Sequence, residues 1–198
     1  MLEQRIPQHF IDSADLKYQS AQSMGPAIAA AIQAMVVSLT SGARVLSCGV
    51  GPGGALAQLF AALCVNGFER ERPELSALAL VPDATWSPCG TPGVEGARLA
   101  RQVRALGQAG DVLLVLAVDG NEPELLQAVQ AAHERDMTVV ACFGRDGAAL
   151  ARLLRETDVQ IGVMHERAAR VRELQVLVLH CLCDGMDTLL LGDQEIAL

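Results

Sequence analysis

The sequence predicts an α/β fold: a three-layer α-β-α sandwich around a roughly five-stranded parallel sheet. Three observations carry that reading. Short apolar runs recur along the chain at Arg44 to Cys48, Ala77 to Val81, Asp111 to Ala117, Thr138 to Cys142 and Val159 to Val163. They show little polar alternation, as strands covered on both faces do. Gly, Pro or Asp bounds each run, and a stretch with helical spacing follows each.

The helices between and after these strands are expected at about Gly54 to Phe68, Val94 to Leu106, Pro123 to Arg135 and Ala148 to Arg155. A long one closes the chain from Arg167 to about Leu191. Before the first strand, Gln4 to Met24 carries Ile6, Phe10, Ala14, Lys17 and Ala21 at helical spacing and ends at Gly25-Pro26, a stop and restart signal. Pro26 to Leu39 reads as a second helix, apolar on nearly every side and therefore buried in the domain or between subunits. The expected organisation is one domain over residues 1–198, with an N-terminal helical pair at 1–41 and an α/β core at 42–198.

Composition bounds the function. With 51% hydrophobic and 19% charged residues, the chain buries enough surface to fold. A net charge of -8 and 3% aromatic residues argue against direct nucleic-acid binding, which needs phosphate neutralisation and stacking platforms. The six cysteines form no CxxC pair and mostly sit in apolar runs, which suits reduced core thiols of a cytoplasmic protein. No basic and apolar leader opens the chain, and the apolar run Leu174 to Cys183 is too short to span a bilayer, so no membrane segment is expected.

Ligands of an open parallel sheet bind beyond the carboxyl ends of its strands. The loop Gly49-Val50-Gly51-Pro52-Gly53-Gly54 could offer backbone N–H groups to an anion or could serve only close strand-to-helix packing. The loop Val118 to Pro123 brings Asp119 and Glu122, and a carboxylate about 5 Å from a phosphate costs roughly 3 kcal/mol at an effective dielectric near 20. Helix capping is the expected role of those two acids. Gly144 to Gly147 is the third such loop.

The Gly-rich loop and helix, then Phe68 to Pro73 (FERERP), Val103 to Leu114 (VRALGQAGDVLL), Ala128 to Gly147 (AVQAAHERDMTVVACFGRDG) and Ala169 to Asp184 (ARVRELQVLVLHCLCD) together resemble the sugar isomerase (SIS) domain family. They look like its phosphoheptose isomerase branch, which also includes replication-initiator-associating proteins. The resemblance implies a flavodoxin-like sheet, a homotetramer and sugar-phosphate sites at subunit junctions. It also implies zinc held by four positions, which here fall on Leu59, Leu63, Arg172 and His180. Only His180 can ligate, so no metal is expected, zinc returning only if the chain is an isomerase. The family's phosphate-binding serines are absent from Ala117 to Glu122, while Gly49, Gly51, Gly120, Asn121, Asp146, Arg170, Glu173 and His180 are retained.

These losses lead to an expected non-catalytic, tetrameric scaffold that binds the replication initiator protein. The alternatives are a sedoheptulose 7-phosphate isomerase using His180 and Glu173, and a sugar-phosphate sensor. Ligand contacts are expected at Gly49, Gly51, Gly53, Gly54, Gly120, Asn121 and Arg170, although Arg170 could instead pair with Glu166 or Glu173 on its own helix. His180 lies in an apolar run, so a core or interface role competes with a functional one. Arg98, Arg101 and Arg104 read as a solvated face, and Trp86 as a loop anchor or exposed contact. Leu190 and Leu191, near the chain end, are the expected partner contacts.

Overall fold

A computed structural model of the chain describes residues 2–81, 97–145 and 147–192. In chain order the elements are α1 (Leu2–Thr40), β1 (Val45–Gly49), α2 (Pro52–Asn66), β2 (Ala77–Leu80), α3 (Arg98–Leu106), β3 (Val112–Leu116), α4 (Pro123–Glu134), β4 (Thr138–Gly144), α5 (Ala148–Leu153), β5 (Val159–Val163) and α6 (Ala168–Leu191). All strand pairs are parallel, and the sheet order is β2-β1-β3-β4-β5. That order reverses between β1 and β3, which makes their carboxyl ends the switch point of the sheet.

Alternation along the strands builds two cores. Val112, Leu114 and Leu116 face a cluster completed by α1, α2 and α6, whereas Leu113 and Val115 face one completed by α3, α4 and α5. The continuous apolar character of β3 follows, since every residue in it is buried on one side or the other. Among the described residues the cysteines are free thiols. Burial pushes the thiols of Cys48 and Cys142 up to about 12, which leaves them inert near neutrality.

The N-terminal segment departs from the expected helical pair. Residues 2–40 form one helix with Pro7 and Pro26 inside it. An internal proline costs roughly 3 kcal/mol, and burying one Met contributes about 1.5–3 kcal/mol. Met24 and Met35, on either side of Pro26, are buried in the α6-facing core together with Ala31, and this packing offsets the break. Gly185 of α6 permits the approach, because a Cβ there would lie 2.3 Å from Ile32 Cδ1. The smaller differences are at ends: β4 runs on to Gly144, and α2 starts at Pro52 rather than Gly54.

Counting only the uninterrupted run Leu174 to Cys183 also understated the apolar helices. By length and composition, α1 and α6 are each long and apolar enough to cross a membrane. In the fold they pack on each other and α6 packs on the sheet. The outer face of α1 keeps Ile6, Phe10, Ile11 and Tyr18 exposed.

Candidate active site

The switch point is built from glycines that let backbones touch. A Cβ on Gly49 would lie 2.3 Å from the carbonyl carbon of Gly53, and one on Gly53 would lie 2.5 Å from the carbonyl oxygen of Leu116. Gly51, at the N-cap of α2, adopts φ 54°, a left-handed conformation that glycine takes without steric cost. The N–H of Gly53 donates to Val50 O and that of Gly54 to Gly51 O, both at 3.0 Å. Pro52 has no N–H to give. These glycines therefore seat α2 against β1 and β3, with the donors of Gly53 and Gly54 spent inside the loop.

The loops after β3 and β4 form one surface. Gly144 N–H donates to Val118 O at 2.8 Å, and Leu150 N–H donates to Gly120 O at 3.1 Å. Gly120 has φ 65°, and a Cβ there would lie 3.0 Å from Gly147 Cα. Asn121 and Asp119 are exposed in this loop. The capping role expected of Glu122 is corrected: it occupies the N-cap of α4, but its side chain makes no capping bond. Its Oε2 is instead a buried oxygen without a hydrogen-bond donor, because the side chain folds inward rather than back over the helix end.

Helix α6 carries the other candidates. Arg170 is buried, 4% exposed in its side chain, and donates to both carboxylate oxygens of Glu173, at 2.5 and 2.6 Å. It also donates to Nδ1 and the backbone oxygen of His9, both at 2.9 Å. The pairing with Glu173 is thus present, and Arg170 ties α1 to α6. Ser13 Oγ donates to Glu173 Oε2 at 2.7 Å. Burial raises the Glu173 pKa, but the Ser13 hydrogen bond, Arg170 and Lys17 outweigh it, so the carboxyl is held below its ordinary value.

His180 stacks on Phe68 with ring centroids 5.3 Å apart. Phe68 follows the C-terminal end of α2, whereas the glycine loop precedes its N-terminal end, and 15 helical residues span roughly 22 Å. Within one chain His180 and the glycine loop are therefore separated. Leu190 is half-buried and Leu191 exposed at the end of α6. Trp86, Cys89, the 87–92 region, Asp146, Asp193 and Glu195 lie outside the described residues.

The four positions that the resemblance assigns to zinc do not fit a metal. Leu59 and Leu63 have no donor and pack against the α1/α2/α6 core, and Arg172 is a cation with no lone pair to give. Zinc requires three or four N, O or S ligands, and His180 alone remains. Among the described residues, no group of three or more His, Cys, Asp and Glu side chains is arranged to hold a metal.

Sequence reasoning missed Gln175. This fully buried side chain donates to Ala117 O at 2.6 Å and to Cys142 O at 3.2 Å, pinning α6 to the carboxyl ends of β3 and β4. A glutamine inside an apolar helical run was the available signal, since a buried amide must find partners.

The SIS domain family model matches residues 9–144. The phosphoheptose isomerase of Methylibium petroleiphilum is 50% identical over 197 residues, covering 99% of this chain and 98% of that protein. The phosphoheptose isomerase of Azoarcus sp. is 45% identical over 192 residues, 96% of this chain and 98% of its own. Among solved structures, the phosphoheptose isomerase of Neisseria gonorrhoeae superposes with TM-score 0.88 at 37% identity, covering 95% of this chain and all of that one. A phosphoheptose isomerase from Francisella tularensis gives TM-score 0.89 at 37% identity, covering 95% and 99%. These likenesses overturn the expected non-catalytic scaffold, because proteins so similar over nearly the whole chain are named isomerases. The scaffold reading rested on the missing metal positions, on Leu63 standing where the resemblance puts the proton-transfer base, and on the missing phosphate-binding serines; those local losses do not outweigh a likeness that runs over nearly the whole chain.

Proposed function

The chain belongs to the SIS domain family, and from that premise we propose that it is a sugar-phosphate isomerase interconverting the aldose and ketose forms of a seven-carbon sugar phosphate. The carrying observation is 50% identity over 99% of the chain to a phosphoheptose isomerase. On this reading the protein acts in the cytoplasm as a homotetramer, and subunit contacts cover the exposed apolar face of α1.

The reaction moves a proton between two adjacent carbons through an enediol, so one base must reach both. Glu173 has the chemistry for that step. It is ionised near neutrality, 39% of its side chain is exposed, and Ser13 and Arg170 fix its carboxylate. His180 lies seven residues further along α6, about 10.5 Å in helical rise, and cannot reach the same pair of carbons. Its role is to hold a sugar hydroxyl, contributed at a subunit junction. Gly49, Gly51, Gly53, Gly54, Gly120 and Asn121 shape the floor against which the sugar lies, and no step runs through a metal.

The test is turnover of sedoheptulose 7-phosphate by the purified chain. Glu173→Gln is expected to lower kcat by about 10²–10⁴-fold, the usual contribution of a general base. His180→Ala is expected to raise KM more than it lowers kcat. A wild-type protein that leaves the sugar phosphate unchanged overturns the reading.

A further inference from the structure

The loops at the carboxyl edge of the sheet divide by charge. The loop after β3 exposes Asp119 and carries no serine, so it repels a phosphate but accepts hydrogen bonds from sugar hydroxyls. Immediately beside it, joined through the Gly144 to Val118 hydrogen bond, the loop after β4 presents Arg145. The loop after β5 presents His165 and Arg167, just before α6 begins at Ala168.

These three side chains line one cavity of about 270 Å³, together with Met164 and Glu166. The Arg167 backbone N–H donates to His165 Nδ1 at 2.9 Å. Nδ1 is thereby the acceptor, and Nε2 carries the proton as a donor. Two arginines and a histidine thus line a cavity in which, among the described residues, Glu166 is the one lining carboxylate. Glu166 pairs with Arg145, and Asp12 stands 4.0 Å from Arg167. Both are exposed pairs that a dianion can displace, since side chains this open to water hold each other weakly.

We propose that Arg145, His165 and Arg167 form the subsite for the phosphate monoester of the substrate, while the acidic loop after β3 receives its hydroxyls. β3 and β5 are two strands apart, roughly 10 Å, the scale of an extended sugar phosphate. The proposal rests on the sugar-phosphate reading for the identity of the ligand, and its chemistry is bidentate recognition of phosphate by arginine.

The test is calorimetric titration of the full chain with inorganic phosphate, followed by KM for sedoheptulose 7-phosphate. Arg145→Ala and Arg167→Ala are each expected to weaken phosphate binding about ten-fold, the effect of losing one charge-assisted hydrogen bond. Glu166→Gln is expected to tighten it, because the competing carboxylate is gone. Absence of phosphate binding by the wild-type protein, or equal affinity in wild type and both alanine variants, overturns the subsite. If phosphate binding follows the substitutions but the sugar phosphate is not turned over, the subsite stands and the isomerase reading fails. If turnover occurs with KM unchanged in Arg167→Ala, the isomerase reading stands and the subsite fails.

Discussion

Arg72 Nε donates to Asp187 Oδ1 at 2.5 Å, and the two side chains are only 1% and 2% exposed. The same guanidinium donates to Cys64 O at 2.7 Å and Leu63 O at 3.0 Å, so it closes the last turn of α2 while pairing with α6. Asp187 Oδ2 is buried without a partner of its own, which makes the carboxylate dependent on Arg72. Removing one member of such a pair strands the other charge and costs about 3–5 kcal/mol.

Arg72→Leu and Asp187→Ala are therefore each expected to lower Tm by roughly 10 °C in a chain of this size. The double variant should lose less than the sum of the two. Arg104 and Glu134 form the control, because that pair is 46% and 55% exposed and Glu134→Ala is expected to leave Tm unchanged. A thermal melt of the four variants decides the matter, and equal losses from both pairs would contradict it.

Glycine substitutions should rank by what the missing Cβ would meet. Gly53→Ala drives a methyl to 2.5 Å from the Leu116 carbonyl oxygen, and neither backbone can yield without moving α2 off β3. A loss at the upper end of the overpacking range, about 3 kcal/mol, is expected. Gly51→Ala meets open space and pays only for its backbone conformation, φ 54° and ψ −126°, about 2 kcal/mol. Denaturant midpoints measure both, and the order Gly53 above Gly51 is the prediction.

How far the sequence was legible depends on whether a feature is local or tertiary. The strands were readable because each is a short apolar run between turn residues, and β5 begins and ends at Val159 and Val163 as expected. Gly25-Pro26 misled, since a local stop signal is weaker than the burial of Met24 and Met35 against α6. The phrase Phe68 to Pro73 was recognisable as a family feature, yet nothing local shows that Arg72 reaches Asp187 across 115 residues. Glu122 was placed at a helix start correctly, but the direction of its side chain is a matter of packing.

The Glu173 network sets a pH dependence with a definite sign. Its folded pKa is depressed, so the carboxylate contributes stability above the ordinary carboxyl value of 4.5, and that contribution disappears as pH falls through the lower folded value. The difference in Tm between wild type and Glu173→Gln is expected to be full at pH 6 to 7 and to shrink below about pH 4.5. Ser13→Ala should shrink that difference and bring its complete loss to a higher pH, because it removes a hydrogen bond that favours the charged form. A Tm difference independent of pH would show that Glu173 acts through packing alone.

The metal positions give a prediction in both directions. Of the four positions that the resemblance assigns to zinc, only His180 is a donor, the others being Leu59, Leu63 and Arg172, and purified protein is expected to carry no stoichiometric zinc and to keep its Tm in a chelator. The fold that the resemblance pairs with zinc is nonetheless intact, with TM-scores of 0.88 and 0.89 to two phosphoheptose isomerases. The triple variant Leu59→His, Leu63→Glu and Arg172→Gln adds three donors to His180 and removes the repelling guanidinium. It is expected to bind zinc and to gain Tm on metal addition, since a ligand at 100 times its Kd adds about 2.7 kcal/mol. Elemental analysis of both proteins checks this: one zinc per chain in the wild type, or none in the triple variant, would contradict the assignment of these positions.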